Sequence, residues 1–223
     1  MPSEIAAALQ RIGYRRLELN AADRTIRFEQ AGMEIDLGAV AKGYAVDQAV
    51  EILRSRGIQS ALVSSGTSTI FALGSPPGER GWRISVRSPY AAKKAADVVR
   101  LQDFSLSTSG NYEKFCRIGG KLYCHILDPR TGRPVENMLA TAVLAARATE
   151  TDALSTAFFV MGPEGSRKYA AAHPNLVGIL YRPTTVTGVF ERVVLRSPSY
   201  TLPPEALVEI NGQSIAPSPA AKP

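Results

Sequence analysis

The feature that most constrains this chain is a junction at Asp36-Leu37-Gly38-Ala39-Val40-Ala41-Lys42-Gly43-Tyr44, where an apolar, strand-like run turns into a helix. The first turn of a helix carries the positive end of the backbone dipole, so Lys42 costs stability there unless an anion sits beside it. Two readings follow. Either the junction is an anion or nucleotide site, or it is a plain connection in which Gly38 permits the turn and Lys42 is a solvated charge.

Periodicity supplies the elements around it. A short helix is predicted over 4–12, and a hairpin from the alternation Arg16-Leu17-Glu18-Leu19 and Ile26-Arg27-Phe28 around 20–24, with a further arm over 33–37. Apolar positions recur at helical spacing from Val40 to Arg56, and Gly57 is placed to end that helix. Ala61-Leu62-Val63 reads as a buried strand, followed by strands at 68–73, 83–86, 96–101, 104–107, 123–127 and 140–146. Helices are predicted over 149–161 and 164–172, then a strand over 176–181. This order suggests an α+β fold with mixed or antiparallel sheets and packed helices rather than a βαβ series. One domain is expected over 1–196 and a loosely attached, proline-rich tail over 197–223.

Composition narrows the function. The 223 residues are 45% hydrophobic and 21% charged, an ordinary globular balance. No apolar run approaches the roughly 20 residues that span a bilayer, and no charged segment with a hydrophobic stretch opens the chain, so a soluble protein without an export signal is expected. The net charge of +6 favours acidic partners, but Lys and Arg are scattered rather than gathered with aromatics, which suits a phosphorylated small molecule and not a nucleic acid. Cys116 and Cys124 match neither a zinc pattern nor a disulfide framework and read as reduced core residues.

Three more clusters could carry chemistry. Thr108, Ser109 and Gly110 can present donors to a phosphate, or can simply form a turn. His125 opens the run His-Ile-Leu-Asp-Pro-Arg-Thr-Gly-Arg-Pro, in which Asp128 to Gly132 makes a rigid turn, and a strand delivers the histidine either as a proton carrier or as a structural side chain. Asp152, Ser155 and Thr156 fall at i, i+3 and i+4, on one helix face. They read as oxygen ligands for a hard cation such as Mg²⁺, or else Asp152 closes a capping box with Thr149.

Taken together, the runs at 36–47, 108–110, 125–134 and 151–157 resemble the ApbE family in order and spacing. That resemblance implies an ApbE-like, T-fold-like architecture and a Mg²⁺-dependent FAD:protein FMN transferase, which joins FMN from FAD to a threonine or serine of a target protein and releases AMP. It also implies roles. Asp36 and Lys42 would contact FAD with Thr108, Ser109 and Gly110, and Ile126 would pack beside the flavin nucleotide. Ala39 through its carbonyl, Asp152, Ser155 and Thr156 would hold the metal, and His125 would be the base. The implied partners are FAD and an acceptor with a Ser/Asp-Gly-Ala-Thr/Ser-like segment, acting on the extracytoplasmic side.

Two departures accompany the resemblance. Members of the family usually carry a further segment before the point where Pro2 begins, so an N-terminally truncated domain is expected, with apolar surface that favours association, a homodimer included. Ser64-Ser65-Gly66-Thr67-Ser68 also replaces the usual Asn-Ala-Gly-Gly-Asp. The alternatives are an FAD pyrophosphatase, a non-catalytic FAD-binding protein, or one part of a split transferase.

Overall fold

The computed structural model describes residues 2–111, 115–119 and 121–215. Helix α1 (Pro2–Leu9) and a 3₁₀ turn lead to the hairpin β1 (Leu17–Asn20) and β2 (Thr25–Phe28), and then to helix α2 (Ala41–Ser55). Strands β3 (Ala61–Ser65), β4 (Thr69–Leu73), β5 (Trp82–Arg87), β6 (Ala95–Gln102) and β7 (Phe104–Gly110) follow. Next come two small ladders, β8 (Phe115–Ile118) with β9 (Lys121–Cys124) and β10 (Leu127–Asp128) with β11 (Arg133–Pro134). Strand β12 (Ala140–Ala145) runs into helix α3 (Ala148–Ala172), and β13 (Val177–Pro183), β14 (Phe190–Arg196), β15 (Leu207–Ile210) and β16 (Gln213–Ser214) complete the described chain.

The architecture is α+β, as expected, in three layers. A six-stranded antiparallel sheet of order β14-β13-β12-β7-β4-β3 stands between a four-stranded antiparallel sheet, β16-β15-β6-β5, and helices α2 and α3. Strand β12 explains why the middle layer is buried on both sides. Its pleat sends Ala140, Ala142 and Leu144 toward the smaller sheet and Val143 and Ala145 toward α3, and every residue of the strand is buried. Phe158 and Phe159 of α3 fill the space above it. Between the layers, Asp97 is almost fully buried and ties four segments together, through Arg192 at 2.8 Å, the Tyr181 hydroxyl at 2.5 Å and Asn211 at 2.6 Å.

Local chemistry fixes the ends of the elements. Asn20 accepts the amides of Ala22 and Asp23, which closes the first hairpin as an Asx turn. Gly57, at φ 76°, takes the left-handed conformation that terminates α2. In α3, Gly162 at φ 65° and ψ −174° breaks the helix and Pro163 restarts it, so the two predicted helices are present on either side of one kink.

Several expectations are corrected. The first helix ends at Leu9 rather than residue 12. Residues 33–37 form no strand: among the described residues the segment pairs with no other strand, and at its end the Asp36 carboxylate accepts the amide of Gly38 at 2.6 Å, a local turn. Strand β3 is an edge strand and only half-buried, with Leu62 exposed. Residues 108–110 are not a turn but the end of β7, paired with Ala142, Thr141 and Ala140. The chain from 197 onward is not loose throughout: β15 pairs with β6, and Val208 and Ile210 are core residues. The stretch 216–223 lies outside the described residues. Cys124 is buried with a free thiol.

The hairpin β1/β2 carries exposed Leu19, Ile26 and Phe28. Among the described residues no helix is long and apolar enough to cross a membrane.

The crossing of α2 over α3 depends on one glycine. A Cβ at Gly43 would lie 2.2 Å from the carbonyl oxygen of Ala148, which is backbone and cannot move aside cheaply. Gly43→Ala is therefore expected to lower stability by about 3 kcal/mol, the upper end of overpacking costs, in a denaturant titration.

Candidate functional site

The sheet opens where β4 begins late. Strand β4 starts at Thr69, opposite Ser107, and the Thr108 amide donates to the Ser68 carbonyl at 2.8 Å. The last residues of β7, Thr108 to Gly110, therefore run beyond β4 and reach the space below the N-termini of α2 and α3. There they line a cleft of about 430 Å³ with Asp36, Gly38, Ala39, Lys42, Ser68, His125, Ile126, Leu127, Asp152, Thr156 and Val160. This volume is in the range of small-molecule sites.

Asp152 is the anion that the sequence asked for beside Lys42. Its carboxylate is buried; Oδ2 accepts the Gly43 amide at 3.0 Å, and Oδ1 accepts the Thr69 hydroxyl at 3.3 Å. The Lys42 ammonium lies 3.3 Å from Oδ1 and donates to the Gly38 carbonyl at 2.9 Å. Asp152 is thus not the partner of Thr149 in a capping box. The first amides of α3 are instead capped by Asp47, which accepts from Ala148 N at 2.7 Å, from Thr149 N at 3.0 Å and from the Thr149 hydroxyl at 2.6 Å.

The other sequence-derived residues divide cleanly. Asp36, Ala39, Lys42, Thr108, Ser109, Gly110, His125, Ile126, Asp152 and Thr156 all line the cleft. Ser155 does not. It is fully buried, with its hydroxyl bonded to the Asp152 carbonyl at 2.9 Å and to the Ser109 hydroxyl at 2.9 Å. Ser109 also bonds Thr156 at 3.1 Å, so Ser155 supports the two hydroxyls that face the cleft. His125 is not carried inside a strand. It occupies the bend between β9 and β10, which belong to different ladders, and it is exposed at the cleft, while Ile126 behind it is buried.

The turn after it is as expected. Thr131 and Gly132 amides donate to the Asp128 carbonyl, and the Arg130 guanidinium beside Asp128 holds its carboxyl below the usual carboxylate range.

Sequence reasoning missed Ser68, Thr69 and Asp47 as parts of this arrangement. Ser68 closes the Ser64 to Ser68 run already noted as a departure, which was the available signal. Thr69 carried none, because its role depends on a carboxylate 83 residues away.

The donor set suits a hard cation. The Asp152 carboxylate and the Thr156 hydroxyl are oxygens, and at Ala39 the backbone carbonyl is the only oxygen available. Mg²⁺ takes one or two carboxylates and fills its other positions with water and phosphate oxygens. Among the described residues no group of three or more His, Cys, Asp or Glu forms a denser metal cage. The ammonium of Lys42 already lies 3.3 Å from Asp152 Oδ1, so a metal bound to that oxygen would share the carboxylate with Lys42 or displace it.

Comparison with known proteins points one way. The model of the ApbE family matches residues 1–180. An FAD:protein FMN transferase of Treponema pallidum is 36% identical over 211 residues, covering 86% of this chain and 58% of that protein. Another, of Rhodobacter capsulatus, is 36% identical over 154 residues, covering 69% of this chain and 29% of that protein. Among solved structures, an ApbE protein of Thermotoga maritima has a TM-score of 0.75 at 32% identity, covering 89% of this chain and 62% of that one. The flavin transferase ApbE of Vibrio cholerae has a TM-score of 0.74 at 26% identity, covering 90% and 62%. The chain therefore spans less than two thirds of the length of these relatives.

Glu150, beside the Asp47 cap in the first turn of α3, provides a pH test. Burial raises its carboxyl above the usual range, His173 and Arg147 pull it down, and Asp47 pushes it up. A carboxyl raised in the folded state binds more protons there than in the unfolded chain, so its penalty is absent below the unfolded value of about 4.3 and grows as pH rises through the folded value. Glu150→Gln is expected to stabilise the protein at about pH 7, with the difference from wild type shrinking toward about pH 4 in thermal melts.

Proposed function

The chain belongs to the ApbE family, and from that premise we propose that it transfers FMN from FAD to a threonine or serine hydroxyl of a target protein, with AMP as the leaving group. The observation that carries this reading is the convergence of Lys42, Thr108, His125, Asp152 and Thr156 on one cleft, from four separate segments of the chain. The relatives' names supply the reaction; the cleft supplies groups suited to it. An acceptor segment of the Ser/Asp-Gly-Ala-Thr/Ser kind is the proposed protein substrate.

In this reading Asp152, Thr156 and the Ala39 carbonyl hold Mg²⁺, and Ser155 only supports them. When bound, Mg²⁺ supplies neutralising charge to the diphosphate and helps hold it in place. Lys42 adds positive charge at the start of α2 and shares in binding the diphosphate. Thr108, Ser109 and Gly110 offer hydroxyl and backbone donors from the end of β7, and Ile126 gives the nucleotide an apolar wall. His125, exposed at the rim, takes the proton of the acceptor hydroxyl as its oxygen bonds to the FMN phosphorus and the anhydride bond to AMP breaks.

Exposure of His125 also leaves the cleft open to water, and attack by water on the same phosphorus would make the site an FAD pyrophosphatase. The product separates the two: FMN attached to the acceptor, or FMN free in solution.

Incubation with FAD, Mg²⁺ and an acceptor peptide, followed by intact mass, tests the assignment. Asp152→Asn and His125→Ala are each expected to slow transfer by about 100-fold or more with the fold retained. Ser155→Ala is expected to keep transfer within a few fold while losing about 1 kcal/mol of stability. Full transfer in both of the first two variants would overturn these roles.

A further inference from the structure

Asp47 takes no part in the proposed chemistry, yet its carboxylate is buried at 7% exposure and accepts three hydrogen bonds from the start of another helix. The Arg147 guanidinium lies 3.6 Å from it. The N-caps of α2 and α3, Val40 and Arg147, make no side-chain capping bond of their own. Each helix is capped by the other. Asp47 of α2 satisfies Ala148 and Thr149 at the start of α3, and Asp152 of α3 satisfies Gly43 at the start of α2.

The geometry of this exchange is a closed loop. Gly43 and Asp47 are one turn apart on α2, and Ala148 and Asp152 are one turn apart on α3, so two bonds a helical turn apart fix both the separation and the rotation of the pair. A single bond would leave a pivot. The positive ends of two helix dipoles face each other here with Lys42 and Arg147 beside them, and the two carboxylates offset that charge together. Asp152 differs from Asp47 in one respect: one of its oxygens is committed to Gly43, and the other is turned toward Thr69 and Lys42 at the cleft.

We infer that Asp47 is a positioning residue, which by closing the second half of this reciprocal cap fixes the orientation in which Asp152 presents Oδ1 to the cleft. The inference rests on the proposed function only for the statement that Asp152 is a ligand. Asn at this position keeps the shape but replaces one acceptor oxygen with a donor that faces the Thr149 amide and hydroxyl, and it removes the charge.

The test uses the full chain and two readouts other than turnover: amide hydrogen exchange by NMR, and a titration with Mn²⁺ followed by its paramagnetic signal. In Asp47→Asn the Gly43 amide, which Asp47 does not touch, is expected to exchange about 10-fold faster, and Mn²⁺ is expected to bind about 10-fold more weakly. Val208→Ala, which weakens the smaller sheet far from the helix pair, is expected to leave both unchanged relative to wild type. Thr149→Val removes only one bond to Asp47 and is expected to shift the Gly43 amide in the same direction by a smaller factor, which decides the matter should Asp47→Asn not fold. A Gly43 amide at the wild-type rate in the folded Asp47 variant, or the same change in Val208→Ala, would overturn the inference. Absence of Mn²⁺ binding in the wild type would instead count against the metal reading, and the Gly43 amide would still decide the role of Asp47.

Discussion

The Asp152 carboxylate is the interaction on which the rest of the site depends. It is buried, it caps the start of α2, it draws in the Lys42 ammonium and the Thr69 hydroxyl, and it still presents an oxygen to the cleft. An ionised carboxylate can remain buried only when such partners compensate its lost hydration. The same partners bring α2, α3 and β4 together, so the fold and the site share one set of bonds. Gly43 is the steric counterpart of this arrangement, since any side chain there would strike the backbone of α3.

The layers explain why the cleft is where it is. Buried on both faces, β12 and β7 form a rigid floor; the Thr69–Ser107 hydroxyl pair ties β4 to β7 within the sheet, and the Ser105–Thr151 pair ties β7 to α3. Such pairs leave few buried polar groups unsatisfied and hold α3 at a fixed height. Beyond buried Ser155, the hydroxyl series ends with Ser109 and Thr156, which meet the open space of the cleft. Polar residues in the body of this series are structural, and those at its end are available to a ligand.

Much of this was legible in the sequence, and what was not has physical causes. Most of the strands between residues 61 and 181, the break near Gly162 and the junction at Asp36 to Tyr44 were readable because periodicity, Gly and Pro act locally, whereas β14 (Phe190–Arg196) was not anticipated. Ten of the eleven candidate site residues face one cleft, because the starts of α2 and α3, the end of β7 and the bend after β9 lie at the same side of the sheet. Ser155 lies deeper than the cleft-lining residues, since spacing on a helix gives a face but not the depth of a residue within it. The capping box was an equally good local reading of Thr149 and Asp152, and it lost to Asp47, which lies 101 residues from Ala148 and could not be paired with it from sequence alone. The tail was misjudged for a related reason. Its prolines suggest looseness, but Val208 and Ile210 fit a strand that only the partner β6 makes visible.

The central claim is that the cleft at the meeting of α2 and α3 binds a metal and a dinucleotide diphosphate through Asp152, Thr156 and Lys42. A crystal of this chain grown with FAD and Mn²⁺, with data collected at the manganese edge, tests it most directly. The account predicts an anomalous peak within coordination distance of the Asp152 carboxylate, with the diphosphate of FAD beside Lys42. A manganese site elsewhere, or FAD bound away from Asp152 with this cleft filled only by water, would contradict it.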